Sequence, residues 1–378
     1  MSTQLPEARR FSIRLPRPLW ICLATVVLLV MTVALRFGLP IYRQQAAIRR
    51  VERIGGQMRF AHTGPDWFRD KSQPWPGNAQ LTVLDDVSGV ELGSTQATDA
   101  DLACLKWMPY LGSVSLGRTQ VTDAGLEHLK QLKNLISLSL PCAITDTGFA
   151  HLGGLTNLRV LVAGGTRVSD NGLAHLEGMT KLEHLWLHQT NVTDAGLVHL
   201  ERLTSLTRLI LFETEITDAG VGHCTRLTNL EDLWLNQTSV TDKCLAHLKG
   251  MKQLNFLNLG HTRIGDADLP HLNELTNLRC LILSGTQVND TGLARLDELV
   301  ELQDIYLDGT QISDAGLLHL KKLPNLEIIN LSDTKVTDEG LANLTGLAHL
   351  RLVYVRNSQV TEAGVTALKK TYPELEVE

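Results

Sequence analysis

The stretch HLWLHQTNVTDAGL, residues 184–197, decides the fold because its frame recurs along the chain. A later stretch, DLWLNQTSVTDKCL, residues 232–245, keeps its leucines, its threonine and its acidic position but replaces both histidines. Catalytic groups do not persist as a template from which the reactive members are exchanged. The histidines and the aspartate of the first stretch therefore indicate a repeating structural pattern rather than a catalytic constellation.

The acidic position of this frame marks the units of the repeat. Successive members are 24 residues apart, with one interval of 23 residues between Asp123 and Asp146. The full column is Asp99, Asp123, Asp146, Asp170, Asp194, Asp218, Asp242, Asp266, Asp290, Asp314, Asp338 and Glu362. A period in this range with an L-x-x-L-x-L core is typical of leucine-rich repeats. The pattern predicts an α/β fold, a leucine-rich-repeat solenoid (horseshoe) of about 12 repeats over residues 81–378.

Within one unit the apolar residues change their spacing. After Asp194 they follow at helical intervals, and Leu209 and Leu211 then show the period of two that is expected of a strand. Each unit is therefore predicted to form a short helix and a short strand. Stacking of the units would close a continuous leucine core, with the strands along the concave face.

Three columns of the repeat are predicted to be architectural. Thr193 and Asp194 are expected to be a helix N-cap and a first-turn anion, with a stacked calcium site as the alternative. A threonine column that includes Thr190 is expected to hydrogen-bond the backbone of adjoining repeats. A histidine column is expected to fill space on the helix face and to hydrogen-bond locally, with a metal-binding ladder as the alternative; if its rings pack together, protonating them should be mutually unfavourable. Its members are His128, His151, His175, His199, His223, His247, His271 and His319.

The residues that flank the inward leucines of each strand point outward and carry the specific information. Aromatic residues are only 5% of the chain, yet several of them fall at these outward positions. Exposed aromatics beside polar groups are typical of binding surfaces, and cross-strand packing on an open sheet is the alternative. The predicted partner-binding residues are His184, Trp186, His188, Arg208, Phe212, Asp232, Trp234, Phe256, Tyr306 and Tyr354.

The N-terminal part differs from the repeats in charge and hydropathy. Residues 1–56 contain nine arginines and two glutamates, a net charge of +7, which leaves −13 for the rest of a chain whose total is −6. An acidic body argues against nucleic acid as its partner. Within the basic head, LWICLATVVLLVMTVAL, residues 19–35, is long enough to cross a membrane, and a cleaved signal peptide is the alternative.

Four segments are expected along the chain. They are a basic tail (1–18), a single transmembrane helix (19–37), a basic juxtamembrane helix at the membrane surface with an N-terminal cap that holds Trp67 and Trp75 (38–80), and the repeat domain (81–378). The arginines on either side of the span do not decide its orientation. A short tail before one signal-anchor helix favours an inner-membrane protein whose repeats lie outside the cytoplasm.

Enzyme motifs are not found in the sequence. It has no glycine-rich phosphate loop, no nucleophile elbow, no zinc-protease motif and no cysteine cluster. The protein is therefore not expected to be an enzyme, and no catalytic residue, cofactor or metal is predicted.

The layout resembles a known family. RRFSIRLPRPLW (9–20), AIRRVERIGG (47–56) and the T-x-V-T-D-A-G-L repeats resemble the membrane-anchored leucine-rich-repeat proteins of planctomycete bacteria, which implies protein–protein interaction at the cell envelope. The repeats alone are similar to those of F-box leucine-rich-repeat proteins, which implies a substrate adaptor in ubiquitin ligation, and more loosely to internalins. The predicted function is a membrane-anchored module that binds a protein or peptide on its concave face. A structural envelope scaffold, assembled through lateral or end-to-end contacts, is the alternative.

Overall fold

A single sheet runs through the repeat region. The structure, a computed structural model, describes residues 17–62 and 85–378, so the expected positions of Trp67 and Trp75 and most of the basic tail lie outside the described residues. The described residues form 14 strands of this sheet, in chain order. The first pair is antiparallel and each later pair is parallel. The strands are β1 (Gln57–His62), β2 (Asp85–Glu91), β3 (Ser113–Ser115), β4 (Ser137–Ser139), β5 (Val160–Val162), β6 (His184–Trp186), β7 (Arg208–Ile210), β8 (Asp232–Trp234), β9 (Phe256–Asn258), β10 (Cys280–Ile282), β11 (Asp304–Tyr306), β12 (Ile328–Asn330), β13 (Leu352–Tyr354) and β14 (Glu376–Val377).

Short helices return the chain from one strand to the next. The α-helices of the repeats are α3 (Asp99–Leu102), α4 (Asp123–Leu126), α5 (Asp146–Phe149), α6 (Asp170–Leu173), α7 (Asp194–Leu197), α8 (Asp218–His223), α9 (Leu245–Leu248), α10 (Asp290–Leu293), α11 (Asp314–Leu320), α12 (Asp338–Ala342) and α13 (Glu362–Thr371). Short 3₁₀ turns cover Leu105–Trp107, Glu127–Leu129, Ala174–Leu176, Val198–Leu200, Asp242–Cys244 and Leu269–Glu274. Neither a helix nor a strand of this length can bury an apolar face alone, so the units are stable only when stacked.

Leucine fills the space between the strands and the helices. Leu209 and Leu211, the inward pair of one strand, are both fully buried, as are their equivalents in neighbouring units. The predicted leucine-rich-repeat solenoid is confirmed. The described core is one continuous cluster that extends from Ala47 to Leu375.

The aspartate column joins consecutive units, which goes beyond the capping role expected from the sequence. The Asp170 carboxylate accepts a hydrogen bond from the backbone N–H of Thr193 and another from its hydroxyl, each 2.7 Å long. The Thr193 hydroxyl oxygen also accepts from the Ala195 N–H at 3.4 Å, so threonine is the capping residue of α7. The same carboxylate-to-threonine or carboxylate-to-serine pair recurs at most boundaries between units.

Glycine is required where the next unit approaches this carboxylate. A Cβ added to Gly220 would lie 2.3 Å from Oδ1 of Asp194 and 3.2 Å from its Cα. The glycines of the other D-x-G motifs face the aspartate of the preceding unit in the same way. The motif T-D-x-G therefore encodes the contact between units, and not the helix start alone.

The threonine column behaves differently from the expectation. The Thr190 hydroxyl donates to the carbonyl of Leu187 at 2.6 Å, within its own unit, and its equivalents bond three residues back in the same way. The predicted bonds to adjoining repeats are therefore wrong for this column. The connection between units is made instead by the aspartate carboxylate and the threonine that caps the next helix.

The histidine column makes hydrogen bonds to the neighbouring unit rather than contacts between its own rings. The aromatic contacts of the described residues include no pair of these rings. Two of the rings instead bond glutamates of the preceding unit, with His199 Nδ1 2.6 Å from Glu177 Oε1 and His223 Nδ1 2.9 Å from Glu201 Oε1. No cluster of potential metal ligands occurs among the described residues.

One continuous helix precedes the sheet. It consists of α1 (Arg17–Val33), a π-helical turn (Ala34–Gly38) and α2 (Leu39–Arg53), and it ends at Gly55, whose φ is 83°. The apolar side chains of α1 are exposed, and the helix is long and apolar enough to cross a membrane by length and composition. It is consistent with a single transmembrane helix.

The second half of this helix closes the N-terminal end of the leucine core. Ala47, Ile48 and Val51 are each at most 2% exposed and belong to the same cluster as the leucines of the repeats. The Arg50 side chain pairs with Asp101 at 2.6 Å. Arg43 lies over the ring of Trp107, 4.1 Å from its centroid. Here α2 is built into the solenoid.

Candidate binding surface on the sheet

The outward side chains of the strands form the surface from which binding is expected. In a repeat strand such as β6 the middle residue, Leu185, is fully buried, while His184 and Trp186 on either side are partly exposed. The pleat produces this alternation because successive side chains point to opposite faces of a sheet. Each of the ten predicted partner-binding residues is partly exposed on this face.

Five rings on this face form a continuous series, here called the aromatic ladder: Trp186, His188, Phe212, Trp234 and Phe256. The centroids of His188 and Phe212 are 4.5 Å apart with planes 12° from parallel, and those of Trp234 and Phe256 are 4.6 Å apart at 23°. Tilted contacts of 6.4 Å join Trp186 to His188 and Phe212 to Trp234. The ladder crosses four strands diagonally. His188 and Phe212 lie two residues beyond the ends of β6 and β7, Trp234 is the last residue of β8, and Phe256 is the first residue of β9.

The rings pack closely enough to cover side chains that would otherwise be exposed. Ile210 points outward from β7 between Trp186 and Trp234, its register partners in the two neighbouring strands, yet only 7% of it is exposed. At the N-terminal end, a Cβ on Gly164 would meet the His188 ring at 2.0 Å. The ring of His188 is therefore held between Gly164 on one side and Phe212 on the other.

Several polar atoms at the ladder have no hydrogen-bond partner in the part of the chain that the structure describes. Trp186 Nε1, His188 Nδ1 and Asn236 Oδ1 are covered without a hydrogen bond among the described residues, and Asn273 Oδ1 is the other such side-chain atom. Buried polar groups are nearly always satisfied in native proteins, and an unsatisfied one costs roughly 1–3 kcal/mol. Their concentration at the ladder marks this face as unusual within the solenoid.

Burial also affects titration at the ladder. Burial lowers the pKa of His188, and the nearby Glu213 carboxylate opposes the shift by raising it. The ring is therefore neutral at pH 7, which suits its stacking on Phe212.

The remaining predicted residues lie around the ladder. Arg208 and Asp232 form an ion pair across β7 and β8. His184 is at the start of β6, beside Arg208 in register. Tyr306 and Tyr354 are on β11 and β13, two and four strands beyond the ladder, so the structure does not bring them into it.

Asp304 lies on β11, two strands beyond the ladder, beside another acidic residue. Burial raises the pKa of Asp304, with the neighbouring Glu327 acting in the same direction and Arg351 opposing it. Burial raises the pKa of the Cys280 thiol to about 12, and the carboxylates of Asp304 and Asp232 add to that rise.

Known proteins share this architecture. The family model described as Leucine Rich repeat matches residues 274–296 and 322–344. An internalin from Listeria monocytogenes is similar in structure over 79% of this chain and 90% of its own, with a TM-score of 0.61 and 21% identity. The repeat domain is a leucine-rich-repeat solenoid.

Two further structures are similar to this leucine-rich-repeat solenoid. A leucine-rich-repeat protein of Leptospira interrogans matches 73% of this chain and 80% of its own with a TM-score of 0.52 and 17% identity. The ectodomain of a membrane receptor kinase from Arabidopsis thaliana, solved in complex with Casparian strip integrity factor 2, matches 76% of this chain but 44% of its own, with a TM-score of 0.50 and 17% identity. At these identities the likeness concerns the fold. No curated protein sequence matches the chain.

Sequence reasoning missed part of the surface of this leucine-rich-repeat solenoid. Gly164, which supports the His188 ring, belongs to the repeat that follows the 23-residue interval, and its strand, β5, stays in register with both neighbouring strands. Counting back from Thr166 places Val160, Val162 and Gly164 at the three outward positions. Asn236 has no aromatic or charged group, so nothing in the sequence distinguishes it.

Proposed function

We propose that this protein is a membrane-anchored interaction module that binds a protein or peptide partner on the sheet face of its leucine-rich-repeat solenoid. The aromatic ladder carries the proposal. Its rings are contiguous and partly exposed, and they hold unsatisfied polar atoms that a partner could meet after small side-chain movements. Stacked aromatics of this kind act as binding hot spots when a partner covers them.

The structural neighbours support a binding role. One is an internalin, and another is a receptor ectodomain solved with a bound factor. The part of the receptor kinase that matches is its ectodomain, which agrees with a sequence without catalytic motifs. The partner class, a protein or peptide, rests on the size of the ladder, because it spans four strands, about 15 Å at the spacing of neighbouring strands.

The anchor in this proposal is the apolar helix α1. Leu28 and Leu29 are 64% and 66% exposed, and an apolar surface of this size needs a cover of lipid or protein. We place the protein in the inner membrane, with the solenoid on the extracytoplasmic side.

Capture of the partner tests the ladder. The Trp186→Ala/Trp234→Ala variant and the wild type are expressed in the native membrane, crosslinked and purified side by side. We expect a defined partner to bind the wild type and to fall by roughly tenfold or more in the variant, because hot-spot truncations cost about 2 kcal/mol or more.

The matched control for that experiment is Tyr110→Ala/Ile136→Ala, which removes two exposed apolar side chains, 57% and 47% exposed, from another part of the molecule. It should keep the partner. An identical set of partners in all three samples would contradict the ladder as a binding surface. Recovery of only further copies of the chain would favour the scaffold.

Labelling of a natural cysteine tests the orientation. Cys142 is an exposed thiol of the repeat region. A membrane-impermeant maleimide added to intact cells, or to spheroplasts where an outer membrane is present, should label it if the solenoid is extracytoplasmic. The Cys142→Ser variant should lose most of this labelling. Labelling that appears only after the membrane is permeabilised would place the solenoid in the cytoplasm.

A further inference from the structure

Charge on the sheet face indicates what kind of segment the partner presents. The outward positions of β7 to β12 hold four charged side chains, namely Arg208, Asp232, Asp304 and Asp308. Arg208 and Asp232 neutralise each other through their ion pair. The other two carboxylates lie on either side of Tyr306 and, among the described residues, neither belongs to an ion pair.

Neighbouring side chains hold one of these carboxylates in place. Asp308 Oδ1 accepts a hydrogen bond from the Ser284 hydroxyl at 2.6 Å and another from the Asn330 side-chain amide at 3.0 Å. These donors are neutral, so they orient the carboxylate without cancelling its charge. The high pKa of the Cys280 thiol, due first to burial and then to the aspartates beside it, agrees with a local excess of negative charge.

The carboxylates lie within reach of the aromatic ladder. Phe256 is in β9 and Asp304 is in β11, and both occupy the first position of their strands, in register through Cys280. Neighbouring strands are about 4.8 Å apart, so the two side chains are separated by roughly 10 Å. An extended segment that crosses the strands covers this distance in about three residues.

We propose that the partner presents an extended segment rich in arginine or lysine, which places cationic groups over the rings of Trp234 and Phe256 and against Asp304 and Asp308. This inference rests on the proposed function and names the chemistry of its partner. Ring faces attract cations, most strongly where water is excluded, and arginine also stacks on them. The net negative charge of the repeat region would steer such a segment toward the solenoid.

A random peptide library tests this chemistry although the partner itself is unidentified. Displayed 12-residue peptides of unbiased composition are selected on the full chain in detergent micelles, and the same selection is repeated on three variants. Asp304→Asn/Asp308→Asn removes the two charges with little change in shape. Trp186→Ala/Trp234→Ala removes two of the five rings of the aromatic ladder. Glu298→Gln/Glu301→Gln makes the same change in net charge at two exposed residues away from the sheet face.

The expected result has three parts. Peptides selected on the wild type are enriched in arginine and lysine. A synthetic peptide from the selection binds about fivefold more weakly to Asp304→Asn/Asp308→Asn, the size expected for two partly exposed ion pairs, and its binding to Glu298→Gln/Glu301→Gln is unchanged. Binding also weakens on Trp186→Ala/Trp234→Ala and as the salt concentration rises.

Other outcomes separate this inference from the proposed function. Peptides that need the tryptophans but show no cationic enrichment, or that bind the Asp304→Asn/Asp308→Asn variant as well as the wild type, overturn the cationic partner and leave the binding surface standing. Cationic peptides that ignore the tryptophans overturn the placement over the rings. A selection that yields no ladder-dependent peptide counts against both.

Discussion

The aspartate column and the aromatic ladder both run across the units of this solenoid, and they differ in how regular they are. The aspartate column repeats the same carboxylate-to-threonine bonds and the same facing glycine from unit to unit. Among the described residues the aromatic ladder occurs once, crosses four strands diagonally and is built from tryptophan, histidine and phenylalanine. Regularity reflects a requirement of stacking, which is the same at every boundary. A unique arrangement on the same scaffold is where recognition is expected.

The largest expected effect on stability comes from adding one methyl group where a glycine faces the aspartate column. In Gly220→Ala, the new Cβ would approach the Asp194 carboxylate, which Thr217 holds in place. We expect a loss of about 2–3 kcal/mol in the free energy of unfolding, as for an overpacked interior. Urea unfolding followed by circular dichroism measures it.

Two further variants make that prediction specific. Gly178→Ala adds the same methyl group where nothing lies within 4 Å, and it should be close to neutral. In an Asp194→Ala background the carboxylate is gone, so Gly220→Ala should cost much less than it does alone. Equal costs in the two backgrounds would show that the carboxylate does not enforce the glycine.

Removing a whole ring from the aromatic ladder should destabilise the fold less. Trp234→Ala loses the stacking on Phe256 but leaves Leu233 and the leucine core intact. We expect about 1 kcal/mol of destabilisation, in the range of aromatic pair energies. A melting temperature that falls as far as in Gly220→Ala would show that the ladder is a structural element and would favour cross-strand packing over binding.

The smallest expected effect is a loss of stability at low pH. Hydrogen bonds from the Thr361 hydroxyl and backbone N–H lower the pKa of Asp338. A carboxyl with a lowered pKa in the folded state binds fewer protons than in the unfolded chain, so its contribution is present above about pH 4 and is lost as the pH falls below it. The difference in melting temperature between wild type and Asp338→Asn should therefore shrink from pH 6 to pH 3. A constant difference would contradict this.

The repeat makes most of the fold predictable. A 24-residue period with its strand leucines specifies the unit, its stacking and the outward positions, so the sequence alone is enough to assign Trp186 and Trp234 to one face. The partner of Asp194 is harder to predict. Its capping position follows from local sequence, but its bonds to Thr217, 23 residues away, depend on how neighbouring units approach each other.

The sequence also does not predict which rings of the aromatic ladder contact each other. Period-two reasoning gives the face of a side chain but not its rotamer, and rotamers decide whether the Phe212 ring meets Trp234 or points to solvent.

The packing of α2 against the core could have been predicted from its apolar residues, although its many arginines draw attention to the membrane surface instead. Ala47, Ile48 and Val51 lie on one side of α2 at helical spacing, and they are the residues that the structure buries.

The continuity of α1 and α2 bears on how the solenoid could be released as a soluble fragment. A protease that cut between Arg53 and Gln57 would remove the helix that contributes Ala47, Ile48 and Val51 to the core, and the exposed end of the core would favour aggregation. A cut in the π-helical turn, Ala34–Gly38, would separate the apolar helix and leave the fragment with its own lid. The border between the apolar segment and the solenoid thus lies inside an unbroken helix, some 20 residues before the first strand.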